Sequence, residues 1–363
     1  MIPYIVMVGV PAIIAFYFNQ IHKKSITKHN QVIDAFFFIW LFLLIFRSVE
    51  VGVDLIGYRL HFNNYGQMSW LNIFEKVIRG SEFGYMAIAK ILSYFTDNFQ
   101  WVIVCCACIS VIPIWKLYRS EKYFGFLVVV LFINIAPFSM YFSGLRQAMA
   151  MAFVVPCYNY CKEKNIKKYL LMILLAWLFH KSAFILLLMY PVYHLRLKKQ
   201  FHMLYLLPGI VLVYIFNMPI FKFLLLFVGD EYMEQGLRGI NETGAYAVML
   251  LLIVLLMYSF LIPESSKLDD TTIGLRNLTA LSVFLQTFSS VHAIAMRMNY
   301  YYLLFIPILI PRIIISGDTK YRTLIKLSII CMVIFFTVYY FYKAYTGSDI
   351  LEVYPYKSFL QDF

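Results

Sequence analysis

The 363-residue chain reads as an all-α, polytopic integral membrane protein, and three observations carry that expectation. Hydrophobic residues make up 62% of the chain and charged residues only 14%, whereas about a quarter of an ordinary soluble domain is charged. Apolar stretches long enough to cross a hydrocarbon layer about 30 Å thick recur from the first residue to about residue 342. Lysine and arginine gather in short connectors between these stretches, the pattern of loops retained in the cytoplasm. No segment is left for an independent soluble domain, so residues 1–363 are expected to form one helical membrane domain.

The connectors orient the elements. Basic residues cluster at His22 to Lys28, Lys116 to Lys122, Lys162 to Lys168, His194 to Lys199 and Arg312 to Lys326. Placing all five in the cytoplasm makes the formal net charge of +12 largely a topological signal. The apolar runs then alternate over 1–19, 33–50, 99–118, 123–140, 143–161, 169–180, 182–194, 201–219, 244–262, 277–295, 298–315 and 325–342. That is about twelve transmembrane segments with both termini outside. The opening "MIPYIVMVGVPAIIAFYF" lacks a basic n-region and a small-residue cleavage site, so it reads as a retained first span. Tyr169 to Leu195 is flanked by basic loops at both ends and interrupted by "FHKSAF". A single span cannot have two cytoplasmic ends, so this stretch should enter and return as a hairpin, crossing or re-entrant, with His180 and Lys181 near its outer turn.

Three longer polar segments fall outside. Residues 51–98 mix turn residues with apolar positions at helical spacing, which predicts short amphipathic helices on the outer face. Residues 220–243 form a second outer loop, and residues 345–363 an outer tail bent at Pro355. The six cysteines all sit in apolar runs, so they read as small buried hydrophobes, and no metal site is expected.

Within this frame the stretch "YFSGLRQAMAMAF" stands out. Ser143 is a suitable N-cap, and Gly144, Ala148 and Ala152 make a small-residue seam for close helix packing. Arg146 and Gln147 then project from a first turn whose amides and dipole already favour an anion. A bland explanation is an arginine that snorkels to the interface or pairs with a carboxylate. The topology gives it company near the outer boundary: Arg47, Asp54, Arg59, His180, Lys181, His292, Arg297 and Lys357. Ionisable groups at membrane depth are costly and tend to line a cavity or path. Arg47 and Lys181 also suit interface anchors, His292 a structural histidine, and His61 and Lys357 solvated positions. Two arginines facing one cavity, Arg146 and Arg297, would suit a phosphate or pyrophosphate, because guanidinium forks grip its oxygens and stay charged.

"SGLRQAMAMAF", "WLFHKSAFIL", "GVDLIGYR", "RMNYYYL" and "VYPYKSF" together resemble the EpsG-type branch of the Wzy-like bacterial polysaccharide polymerases, from about residue 47 to 359. The resemblance implies a GT-C-like membrane glycosyltransferase of O-antigen, capsule or exopolysaccharide synthesis. Its donor would be a glycan on undecaprenyl pyrophosphate, and its acceptor a second lipid-linked repeat unit. The reaction would take place on the extracytoplasmic face of the bacterial cytoplasmic membrane. A chain-length regulator and a flippase are the implied protein partners; nucleic acid is not one, and no cofactor is implied.

The chemistry then requires a cation for the departing pyrophosphate and a base for an acceptor hydroxyl. Arg146 is the first candidate for the pyrophosphate, with Arg297 as its partner or as the holder of the acceptor's pyrophosphate. His180 and Asp54 compete for the base. Gln147, Arg59, Tyr58 and Lys357 complete the expected binding set. No DxD-like carboxylate cluster appears on the outer side, the adjacent Asp269 and Asp270 falling in an expected cytoplasmic loop, and no phosphate-cradling glycine loop is found, which disfavours a nucleotide-sugar donor. A lipid-oligosaccharide flippase or other transporter, and a membrane acyltransferase with His180 as base, are alternatives. A transporter tends to show repeats and midplane charge, whereas here the charges collect on one face.

Overall fold

Every regular element among the described residues is a helix, and the one backbone bridge joins Arg47 antiparallel to Ser358. The computed structural model describes residues 2–21, 26–121, 124–135, 137–196, 199–225, 246–260, 269–291, 293–316, 319–346 and 352–361. His292 and most of the loop expected at 220–243 lie outside these residues. The chain divides into two compact units.

The first unit comprises Met1–Pro156, Leu171–Lys181 and Met332–Phe363. Its helices begin with α1 (Ile2–Ile21), α2 (Ile26–Phe46), α3 (Leu55–Gln67), α4 (Trp70–Ile78), α5 (Phe83–Ser93) and α6 (Gln100–Arg119). Next come α7 (Gly125–Asn134), α8 (Met140–Ser143), α9 (Leu145–Ala152), α10 (Val154–Lys162) and α11 (Ile166–Phe179); α10 runs on into the second unit, and α11 begins there and ends in the first. Two aromatic and aliphatic cores hold it. In one, Trp40 of α2 packs edge-on against Phe132 of α7 and Tyr141 of α8, with ring centroids 5.0 and 4.9 Å apart. In the other, Leu55, Tyr58 and Phe62 of α3 meet Tyr85 and Ala89 of α5, Val102, Ile103 and Cys106 of α6, and Leu145 and Met149 of α9. This second core clamps the polar segment 51–98 onto α6 and α9. Burying its apolar side chains, each worth roughly 1.5–3 kcal/mol, is what fixes short helices that would not persist alone.

The tail is tied to the same unit. Ser48 N–H donates to the Lys357 carbonyl at 2.9 Å, Tyr4 Oη to the Val353 carbonyl at 2.6 Å, and Tyr356 Oη to the Leu43 carbonyl at 3.1 Å.

The second unit comprises Cys157–Leu170 and Ser182–Cys331. After a 3₁₀ turn at Lys181–Leu188 come α12 (Met189–Tyr193), α13 (Lys199–Ile215), α14 (Asn217–Leu225), α15 (Tyr246–Ser259) and α16 (Asp270–Gln286). A 3₁₀ turn at Thr287–Ser290 leads to α17 (Ala293–Leu303), α18 (Ile306–Ser316) and α19 (Thr319–Tyr345), which belongs to the first unit from Met332 onward. The stretch 169–195 does fold back on itself. Tyr169 Oη donates to the Leu186 carbonyl and accepts from Tyr190 N–H at 3.1 Å, and the Tyr169 and Tyr190 rings lie 5.6 Å apart. Residues 17 and 21 positions apart become neighbours, as a hairpin demands and a straight helix forbids.

Among the described residues two helices are long and apolar enough to cross a membrane, His29–Phe46 within α2 and Gln100–Arg119. At 18 and 20 residues they extend about 27 and 30 Å. Met296–Leu303 and Ile306–Ile315, bent by 44°, make a third if they count as one span. Several other apolar runs form shorter helices, Phe83–Ser93 and Gly125–Asn134 among them. The run expected at 143–161 shows why. Gly144, with φ −81° and ψ 76°, leaves helical geometry, and the chain turns again at Phe153, so the run becomes α9 and α10.

Candidate functional site

The break at Gly144 creates the site. Arg146 is the second residue of α9, and the N-cap position belongs to Gly144, with no side-chain cap. This corrects the role expected of Ser143. Its hydroxyl points away from the helix amides and donates to Asp54 Oδ2 at 2.9 Å, while Asp54 N–H donates to Ser143 Oγ at 3.3 Å. Asp54 therefore meets the helix break directly. Gly52 makes that approach feasible: it has φ +117°, and a Cβ there would stand 2.1 Å from the Phe142 carbonyl oxygen. Only glycine has both the backbone freedom and the missing atom that this packing needs. The quoted "GVD" is thus a latch between the start of α3 and the α8–α9 break.

Arg146 reaches from that break toward α3 and α5. Its Nε donates to Tyr58 Oη at 3.3 Å, and the guanidinium carbon lies 5.7 Å from the centroid of the Tyr58 ring. Tyr58 is held in turn, since Tyr85 Oη donates to its carbonyl at 2.9 Å. Burial raises both phenols above their ordinary range, so both are neutral hydrogen-bonding groups at physiological pH.

At the centre is a residue that the sequence reading passed over. Glu82 occupies the extended position just before α5 and makes no cap bond to its own helix. Its carboxylate instead bridges two other elements. Oε2 lies 3.0 Å from Arg146 Nη1, and Oε1 lies 2.6 Å from His180 Nδ1 and accepts Lys181 N–H at 2.9 Å. The Glu82 side chain is only 2% exposed. Burial alone would push its carboxyl up, but the His180 contact, the Arg146 charge and the Lys181 amide together outweigh that and hold it at about 2. Glu82 is therefore ionised and can only accept, so His180 must donate through Nδ1. The neutral imidazole then carries its lone pair on Nε2.

Local sequence explains how His180 arrives there. α11 ends at Phe179, and His180 N–H still donates to the Ala176 carbonyl at 3.0 Å before the chain turns into 3₁₀ geometry. Gly84 lets the end of α11 lie against α5, because a Cβ there would stand 2.5 Å from the Phe179 ring. Gly80, at φ +103°, turns the chain from α4 into Glu82, and its missing Cβ leaves Lys181 Nζ close by. The array is graded in exposure: the Arg146 side chain is 40% accessible and that of His180 6%. The arginine is the more accessible of the two.

The chain matches the sequence profile of the EpsG family over residues 31–358. It belongs to the EpsG family. No curated protein and no solved structure matches it. Membership makes this EpsG-family chain a membrane-associated protein of polysaccharide biosynthesis with a polymerase, glycosyltransferase-like activity.

The remaining expected site residues of the EpsG-family chain have diverse settings. Gln147 is buried, and Arg59 lies exposed on α3. Lys357 forms an ion pair with Glu50 beside the anchored tail. Arg297 lies half-buried on α17, in the second unit. The structure brings Arg146, His180, Tyr58 and Asp54 into one neighbourhood of the first unit. Glu82 could have been suspected from the sequence as a lone carboxylate inside the apolar run "SEFGYMAIA", since an isolated buried carboxylate needs a cationic partner.

Proposed function

We propose that the protein is a polysaccharide polymerase that transfers a growing glycan from undecaprenyl pyrophosphate to a lipid-linked repeat unit. The observation that supports this most is one array joining a partly accessible arginine with an oriented histidine. Arg146 takes the pyrophosphate of the donor, and its charge-assisted hydrogen bonds strengthen as negative charge develops on the departing oxygen. His180 Nε2 accepts the proton of the acceptor hydroxyl. The hydroxyl oxygen bonds to the anomeric carbon as the bond from that carbon to the pyrophosphate oxygen breaks. The bonding pair leaves on undecaprenyl pyrophosphate, and the proton passes from the imidazole to solvent.

Asp54 has a positioning role in this scheme, because it holds the break that aims Arg146; Tyr58 holds the guanidinium from the side. Gln147, Arg59 and Lys357 remain second-rank candidates for the glycan, and Arg297 for a second pyrophosphate. We place the reaction on the extracytoplasmic face of the bacterial cytoplasmic membrane, in a protein of about twelve crossings, several of them short or broken. The charge pattern of the connectors supports that sidedness.

Incubating purified protein with a lipid-pyrophosphate-linked repeat unit tests the proposal. A ladder of products differing by one repeat is the expected result, and Arg146→Lys should abolish long products while the protein still reaches the membrane. No ladder from wild-type protein, or full-length polymer from the variant, would remove the reading or demote Arg146 to a structural anchor.

A further inference from the structure

Glu82 touches both working groups, and its two oxygens are divided between them. Oε2 faces Arg146 Nη1 at 3.0 Å, and Oε1 faces His180 Nδ1 at 2.6 Å. We propose that Glu82 is a positioning residue that links leaving-group binding to base action, by holding His180 through Nδ1 and competing with the donor pyrophosphate for Arg146. This rests on the polymerase reading above.

The physical argument concerns a carboxylate with two partners of unequal mobility. The histidine end is buried, and the same oxygen also accepts the Lys181 amide, which the backbone fixes. The arginine end is the exposed one, where solvent and an incoming anion can compete. A pyrophosphate offers more negative charge and several oxygens in the spacing of a guanidinium fork, so it draws Arg146 away. The whole Glu82 carboxylate is then left facing His180, and it favours the imidazolium that forms as the hydroxyl proton arrives at Nε2. Glu82 itself neither gains nor loses a proton. Its contact with Arg146 in the resting site lowers the affinity for the donor; its contact with His180 assists the chemical step.

That division gives a signature that a merely structural carboxylate would not. Glu82→Gln removes the charge that competes for Arg146 and leaves only a neutral amide oxygen for the Nδ1 proton, so the imidazolium is no longer favoured. The donor KM should therefore fall, by about fivefold, while kcat falls by about 100-fold. A structural residue would instead raise KM or reduce only the amount of folded enzyme.

The experiment uses the full-length protein in detergent micelles. Calorimetric titration with inorganic pyrophosphate should show tighter binding to Glu82→Gln than to wild type, and no such gain when Arg146 is already alanine. Glu82→Asp retains the competing charge, so its pyrophosphate affinity should stay within about twofold of wild type; it also serves if the glutamine variant does not fold. Unchanged or weaker pyrophosphate binding by Glu82→Gln, or tightening in Glu82→Asp, overturns the inference. Steady-state polymerisation on a lipid-pyrophosphate-linked repeat unit then supplies kcat and KM. If wild-type protein forms no ladder, the polymerase reading fails, and the pyrophosphate titration still decides the competition for Arg146.

Discussion

The two units bury polar groups in different company. In the first, a buried carboxylate sits between an arginine and a histidine. In the second, a neutral network joins α16 to α17, and the one buried charge on α16 among the described residues, Arg276, lies over the Phe260 ring at 4.8 Å. Ser282 Oγ donates to Asn299 Oδ1 at 2.7 Å, and Asn299 Nδ2 donates to Gln286 Oε1 at 2.8 Å, with all three residues fully buried. Neutral amides and hydroxyls can join helices with no charge to desolvate, so such a network serves packing. A buried carboxylate carries a heavy desolvation cost and persists only with close partners; that makes it weak evidence for stability and better evidence for a site. The contrast teaches that the first unit gathers a buried carboxylate with partners from separate elements, whereas in the second the bonds between α16 and α17 run through neutral polar groups.

The largest effect expected from this contrast belongs to the arginine. Arg146→Lys keeps the charge but loses the fork that reaches Glu82 and Tyr58 together, and polymer synthesis should drop by about 100-fold or more. Gel analysis of polymer from cells with matched membrane levels of the variant measures it. Next comes the base. His180→Ala should cost about 100-fold in turnover, whereas Asp54→Asn, which keeps the shape of the Ser143 contact, should cost clearly less. The reverse order in an assay of purified protein would exchange their roles.

A smaller effect separates folding from chemistry. Asn299→Ala in the second unit strands Ser282 and Gln286 and should lower stability by about 1–3 kcal/mol, while turnover per folded molecule stays near wild type. Thermal unfolding in detergent alongside the ladder assay checks both halves, and lost turnover at full stability would erase the contrast between the units. The smallest concerns acid. Glu82 titrates at about 2 in the fold, below its ordinary 4.5, so its ionised form contributes stability above about pH 4.5. That contribution is lost as pH falls toward 2. Glu82→Gln should flatten this part of the curve of melting temperature against pH.

How much of this was legible in the sequence differs by residue. Arg146 and His180 were visible because each interrupts an apolar run, and a charge in such a run requires a reason wherever it sits. The hairpin at 169–195 was legible from basic flanks around one apolar stretch. Ser143 was misassigned because N-cap preference is local, while its hydroxyl is claimed by Asp54, 89 positions away. Glu82 was overlooked among alternating charges that looked like the polar side of an amphipathic helix; the apolar run after it was the one local signal, and its partners lie on other elements.

Composition and periodicity alone determined that this chain is helical and membrane-bound, since the excess of apolar residues leaves no aqueous alternative. They also supplied the small residues without saying what they admit. Tertiary structure alone decided that Gly52 and Gly84 are points where backbone and ring approach too closely for any side chain. It likewise decided that Glu82 lies between Arg146 and His180. The reason is physical: side-chain pattern sets which face of a helix avoids water, but which carboxylate meets which cation depends on how three separate elements pack.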